Sequence, residues 1–194
     1  MKIEFKKINT IPNYISALRF ILIIPIFILL DKIPDGYEYR IYSAVLMLLA
    51  GGTDLLDGYL ARKLNQISEL GKIIDPLADK IAVALILIKL YLIGIIPTYY
   101  FLIIILRDVI ILLGGLFVSS KVGKVLPSNM LGKITVLFIC FYLLGLVLNF
   151  QEIVWLHNFL LYGSIIMSFI SVIGYGIRGY DAIKWSKNEH VSEL

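Results

Sequence analysis

A chain of 194 residues, 59% hydrophobic and only 16% charged, with a mean hydropathy of +0.89, lacks the polar surface that a water-soluble domain of this size needs. Its net charge of +4 suits an anionic lipid surface, and no nucleic-acid-binding module accompanies it. A single cysteine, Cys140, excludes an internal disulfide and reads as a buried structural thiol; no Cys/His cluster points to zinc, no glycine-rich loop to a dinucleotide, and no internal repeat is evident.

Met1–Asn9 comes first, with Lys2, Lys6 and Lys7 beside Ile3, Phe5 and Ile8, a short amphipathic segment suited to a membrane surface. A cleaved signal peptide is the competing reading of basic residues ahead of Ile21–Leu30. No small-x-small site follows, however, and Asp31-Lys32 closes the run. Six apolar stretches then reach roughly the 20 residues that cross a bilayer core. They are placed at about 14–31, 39–60, 73–93, 97–118, 132–149 and 155–177, and as lipid-embedded segments they must be helices to satisfy their own backbone polar groups. Residues 1–194 are therefore expected to form one all-α integral membrane domain of six transmembrane helices. Lys2, Lys6 and Lys7, then Arg62, Lys63 and Lys72, then Lys121, Lys124 and Lys133, and last Arg178, Lys184 and Lys187 fall on one side. The other side has Lys32 and Arg40, with Lys89 near enough to snorkel there. That asymmetry puts both termini in the cytoplasm.

Four carboxylates stand where lipid-buried charge is costly: Asp54 and Asp57 near the end of the second stretch, Asp75 and Asp79 at the start of the third. Asp54, Asp57, Gly58 and Ala61 run i, i+3, i+4, i+7, and Gly71, Asp75 and Asp79 run i, i+4, i+8, each one face of a helix. The residues from Ala61 to Gly71 let the two helices turn back antiparallel and bring the acidic faces together. Carboxylates converging in this way repel unless cations lie between them, and oxygen-only ligands favour Mg²⁺, Mn²⁺ or Ca²⁺ over zinc. Gly58 and Ala61 remove side-chain bulk where a ligand would approach, and Arg62 adds a fixed positive charge suited to a phosphate. Together these features imply phosphoryl transfer on a lipid. The competing readings are that the acids neutralise Arg19, Lys80 or Arg107 within the bundle, or that the chain transports cations. Acids clustered near the cytoplasmic ends, without an inverted repeat, argue against transport.

The stretch from Asp54 to Asp79 resembles the motif of the CDP-alcohol phosphatidyltransferases, D-x2-D-G-x2-A-R-x8-G-x3-D-x3-D, with Asp54, Asp57, Gly58, Ala61, Arg62, Gly71, Asp75 and Asp79 all in place. The resemblance implies a six-helix membrane fold, usually a homodimer, with a polar cavity open to the cytoplasm and two divalent metals, Mg²⁺ or Mn²⁺. It implies CDP-diacylglycerol or a related CDP-alcohol as donor and CMP as leaving group. Carried over by residue, Asp54, Asp57, Asp75 and Asp79 would hold the metals. Asp79 would also act as general base, and Gly58, Ala61 and Arg62 would line the CDP pocket.

The opening IPNYISALR, Asp75-Pro76 with Ala78-Asp79-Lys80, and Leu131-Gly132-Lys133-Ile134 resemble equally the branches of that family that make phosphatidylglycerophosphate and cardiolipin. Arg107 and Lys133 would begin the acceptor pocket, with Lys121 and Lys124 as looser candidates that also read as solvated charges. Enzymes using glycerol 3-phosphate often show Arg-Glu, a second arginine two turns on, and Gly-Lys-x-Lys-Thr. Here Asp108, Gly115 and Thr135 stand at the departing positions. Glycerol 3-phosphate is the favoured acceptor, because the remaining basic loop suffices for a phosphomonoester; phosphatidylglycerol stays open, since Arg-Asp is associated with the cardiolipin branch. Trp155 and His157 read as interfacial anchors, and Gly51-Gly52 and Gly114-Gly115 as sites of close helix contact.

Overall fold

The computed structural model describes the backbone of residues 11–63, 71–123 and 129–192, and the side chains of Leu18 and of residues 21–53, 80–123 and 129–185. The expected surface segment Met1–Asn9 lies outside them. Among the described residues all regular structure is helical. The α-helices are α1 (Ile11–Asp31), α2 (Tyr37–Lys63), α3 (Gly71–Leu92), α4 (Thr98–Val122), α5 (Met130–Val147) and α6 (Val154–Ser192), with 3-10 turns at Ile33–Asp35 and Phe150–Glu152. The helices fall on the six expected stretches, and α6 continues well past its expected end at residue 177.

Local chemistry explains the boundaries. After α1, Pro34 occupies the first turn of the 3-10 segment, where its fixed φ and missing N–H do no harm but prevent a continuous helix. After α3, Gly94 takes a left-handed φ of 75°, and its N–H bonds Tyr91 O at 3.0 Å. Gly123 closes α4 in the same way, with φ 71° and its N–H on Ser119 O at 2.9 Å. Asn129 caps α5: its Oδ1 accepts from the Gly132 N–H at 2.7 Å.

The chain forms two compact units, Met1–Ile96 with Val147–Asn149, and Pro97–Leu146 with Phe150–Leu194. In the first unit, α1 packs against both α2 and α3. Ile23, Ile26 and Leu30 form its buried face, whereas Ile21, Ile24 and Ile28 stand exposed. A helix apolar on its buried and its exposed face alike is built for lipid rather than water. At the far end of α1, Lys89 is buried and ion-paired with Asp31, with its Nζ 4.2 Å from the centroid of the Phe27 ring. Lys89 therefore does not reach free solvent by snorkelling; its charge is neutralised in place. Arg40 Nη1 donates to Val147 O at 3.1 Å and holds the returning segment to this unit.

In the second unit, α4 lies along α6. Tyr100, Ile104, Arg107 and Val118 are the buried residues of α4, while Leu106, Ile110, Leu113 and Phe117 are exposed. Tyr100 and Tyr142 pack with ring centroids 4.5 Å apart, and Gly145 and Gly163 receive Phe150 and Phe138. Among the described residues, Thr98–Val122, Met130–Val147 and Val154–Trp185 are long and apolar enough to cross a membrane, with Ile21–Asp31 a shorter apolar helix. Apolar helices whose exposed faces carry Leu, Ile and Phe define an integral membrane protein. At 39 residues, α6 spans about 58 Å, nearly twice the hydrocarbon core, and is long enough to continue beyond the lipid.

Candidate active site

Asp54, Asp57, Gly58, Ala61 and Arg62 lie within α2, and Gly71, Asp75 and Asp79 within α3. Both helices run without interruption through these positions, so the i, i+3, i+4, i+7 and i, i+4, i+8 registers hold on the backbone. The side chains of residues 54–63 and 71–79, and with them the proposed metal ligands, general base and CDP pocket, lie outside the described residues. Among the described residues no group of three or more His, Cys, Asp or Glu side chains is placed to hold a metal ion. A donor set of four carboxylates fits a hard divalent cation.

The candidate acceptor residues belong to the second unit. Arg107 is 6% exposed, and its guanidinium is held from two directions. Nε donates to Ser171 Oγ on α6 at 3.1 Å, and Nη1 is ion-paired with the neighbouring Asp108 carboxylate. Asp108 itself is partly exposed, at 45% of its side chain. Arg107 is thus held within its own unit at Nε and Nη1, and Lys80, another candidate partner for the motif acids, is exposed. Arg19 lies outside the described side chains.

Lys133 is exposed on the first turn of α5. Its neighbours hold that turn against α6. Gly132 approaches so closely that an added Cβ would sit 3.1 Å from Tyr175 Cε2 and from its hydroxyl oxygen. The Asn129 N–H points at that hydroxyl, 3.4 Å away. Thr135 is fully buried, with Oγ1 2.7 Å from Leu131 O and 3.0 Å from Met167 O. Position 135 therefore faces the α6 backbone. Lys121 is exposed in the last turn of α4, and Lys124 lies outside the described residues.

Other expectations change. Cys140 is only half-buried. Among the described residues no atom lies within 4 Å of an added Cβ at Gly51, Gly52, Gly114 or Gly115; the close approaches of another element are instead at Gly132, Gly145, Gly163, Gly174 and Gly179. Trp155 is 73% exposed, as an interfacial anchor should be, whereas His157 packs its ring on Tyr142 at 5.6 Å. The sequence reading also missed a polar seam on α6. Ser164, Ser168 and Ser171 are all buried, Ser164 accepting from the Tyr100 hydroxyl at 3.0 Å and Ser171 from Arg107. Their signal was available: serines at i, i+4 and i+7 in an otherwise apolar span mark one helix face.

Residues 9–171 match the family model of CDP-alcohol phosphatidyltransferase. This chain belongs to that family and is an enzyme of its type. A protein of Aquifex aeolicus (strain VF5), named CDP-diacylglycerol--glycerol-3-phosphate 3-phosphatidyltransferase, is 34% identical over 180 residues, covering 89% of this chain and 97% of the relative. A Bacillus subtilis (strain 168) protein of the same name is 36% identical over 135 residues, 64% of this chain and 69% of the relative. A Pseudomonas fluorescens protein, also so named, is 50% identical over 80 residues, 41% and 40% of the two chains.

Proposed function

We propose that this enzyme transfers the phosphatidyl group of CDP-diacylglycerol to glycerol 3-phosphate, releasing CMP and forming phosphatidylglycerophosphate. The observation that carries the reading is the complete acidic motif, borne on two uninterrupted helices, in a chain similar along almost the whole length of a relative named for that reaction. Residues 1–194 act as one catalytic domain of six spans, working as a homodimer with both termini and the active site on the cytoplasmic side.

Asp54, Asp57, Asp75 and Asp79 would hold two divalent cations, Mg²⁺ or Mn²⁺, which when bound neutralise charge on the donor pyrophosphate and the departing CMP. Gly58 and Ala61 leave room for the cytidine moiety, and Arg62 gives the pyrophosphate a fixed cation. Asp79 accepts the proton of the glycerol hydroxyl as its oxygen attacks the lipid-side phosphorus. The new P–O bond forms as the bond to CMP breaks, and the electron pair leaves with the CMP phosphate. No Ser, Cys or His lies within the motif, which favours direct displacement over a covalent enzyme intermediate. Arg107 and Lys133 receive the acceptor phosphate, a dianion that needs fixed positive partners on leaving water.

The test is to incubate purified protein with CDP-diacylglycerol and Mg²⁺, offering glycerol 3-phosphate or phosphatidylglycerol separately, and to identify the lipid product. Phosphatidylglycerophosphate with equimolar CMP is expected. Cardiolipin formed only from phosphatidylglycerol, with no reaction of glycerol 3-phosphate, would overturn the acceptor assignment.

A further inference from the structure

A guanidinium binds a phosphate well only when its plane is fixed, because two of its N–H groups must meet two oxygens at once. Arg107 sits on a long, flexible stem, yet its guanidinium is anchored in the structure at Nε by Ser171 and at Nη1 by Asp108. Among the described residues the second terminal nitrogen, Nη2, has no hydrogen-bond partner. Ser171 is itself fixed. It is fully buried, and its hydroxyl donates to Ser168 O at 2.8 Å, which commits its one proton and aims a lone pair at Arg107 Nε. The next hydroxyl along the seam, Ser168, donates to Ser164 O at 2.7 Å, and among the described residues the Arg107 hydrogen bonds go to Ser171 and Asp108. Two serines within one turn of α6 thus have the same burial and the same kind of backbone bond, but only Ser171 is hydrogen-bonded to the arginine.

We infer that Ser171 is a positioning residue for acceptor recognition: it locks the Arg107 guanidinium so that its free N–H groups are presented to the phosphate of the acceptor. The inference rests on the proposed role of Arg107 and adds a residue on α6 to that role. Asp108 holds the other side of the plane and also lowers the net charge, so the site orients a phosphate more than it concentrates one. Without the Ser171 hydroxyl, Nε is left buried with no acceptor, and the guanidinium rotates to find one.

The experiment compares steady-state kinetics of Ser171→Ala, Ser171→Thr, Ser168→Ala and Arg107→Ala in purified, detergent-solubilised full-length protein, varying glycerol 3-phosphate and CDP-diacylglycerol separately. Ser171→Ala should raise the KM for glycerol 3-phosphate about tenfold, the loss expected for a hydrogen bond to a charged group, with the KM for CDP-diacylglycerol unchanged. Ser171→Thr, which keeps the hydroxyl, should restore most of the affinity. Ser168→Ala should leave both KM values near wild type. In an Arg107→Ala background, Ser171→Ala should add nothing further, since the two act as one unit. If Arg107→Ala raises the acceptor KM and Ser171→Ala does not, the positioning role fails and the acceptor site stands. Equal effects of Ser168→Ala and Ser171→Ala would also overturn it, by showing that any lost hydroxyl loosens the seam. An Arg107→Ala enzyme with unaltered acceptor KM defeats the acceptor role itself.

Discussion

The ion pair between Lys89 and Asp31 has two unequal ends, and this inequality makes a quantitative prediction. The lysine side chain is 9% exposed and the aspartate 57%, so removing either partner is not the same perturbation. Asp31→Asn leaves a buried ammonium without its counter-charge. Breaking a fully buried pair in this way costs about 3–5 kcal/mol. Here the Phe27 ring, 4.2 Å from Nζ, still stabilises the cation, and water reaches the exposed side of residue 31. Together these reduce the loss to about 2 kcal/mol. Lys89→Met instead leaves a carboxylate already more than half in water, which rehydrates, and the cost should be about 1 kcal/mol or less. The double variant Asp31→Asn, Lys89→Met should resemble Lys89→Met, because no charge is then stranded. Thermal unfolding in detergent, followed by far-UV circular dichroism, should show Asp31→Asn lowered by about 5 °C, with the other two close to wild type. A Lys89→Met variant less stable than Asp31→Asn would refute the reasoning, as would a double variant worse than either.

Replacing any one of Asp54, Asp57, Asp75 or Asp79 by Asn should lower kcat by about a hundredfold or more while the protein remains folded; near-normal turnover in two of the four would defeat a shared site. Removing divalent cations with a chelator should abolish CMP release and Mg²⁺ or Mn²⁺ should restore it, so chelator-resistant turnover would count against the metal assignment. In a Cys140→Ser background, Lys121→Cys should be labelled by impermeant thiol reagents only from the cytoplasmic side; labelling only from outside would reverse the orientation. Gly132→Ala gains about 1 kcal/mol of helix propensity but pushes a methyl 3.1 Å from the Tyr175 ring and 3.2 Å from Asn129 Oδ1, an overpacking cost of about 1–3 kcal/mol. Thermal unfolding should therefore show a net loss for Gly132→Ala, and partial recovery on adding Tyr175→Phe.

What the sequence made legible follows from which signals are local. Helix ends are local matters, since Pro34, Gly94, Gly123 and Asn129 act on their own backbone neighbours: a fixed φ, two left-handed caps and a side-chain cap. The acidic motif was readable because the spacing of Asp54, Asp57, Asp75 and Asp79 is itself a statement about helix faces. The glycine pairs misled, because a small residue permits a close approach without specifying one. Among the described residues Gly51, Gly52, Gly114 and Gly115 meet nothing within 4 Å, while single glycines such as Gly132 and Gly163 receive aromatic side chains. Which helix faces which is a tertiary fact.

The same distinction governs the candidate acceptor residues. An arginine within an apolar helix stands out as a functional candidate from its cost alone, but the expectation looked along α4 for a second cation and found Gly115. The structure supplies something else: α6 brings Ser171 to the guanidinium and turns the same face, at Met167 and Tyr175, toward the first turn of α5. Arg107 and the turn that carries Lys133 are therefore fastened to neighbouring turns of one helix. A binding site for a small, highly charged acceptor in lipid surroundings does not need many cations if those present are held rigidly, because a pre-oriented group spends little freedom on binding. In this chain α6 has the role of a ruler against which the basic residues of α4 and α5 are set. On the proposed reading Ser171, uncharged and inconspicuous in an apolar run, sets the orientation of the guanidinium offered to the acceptor.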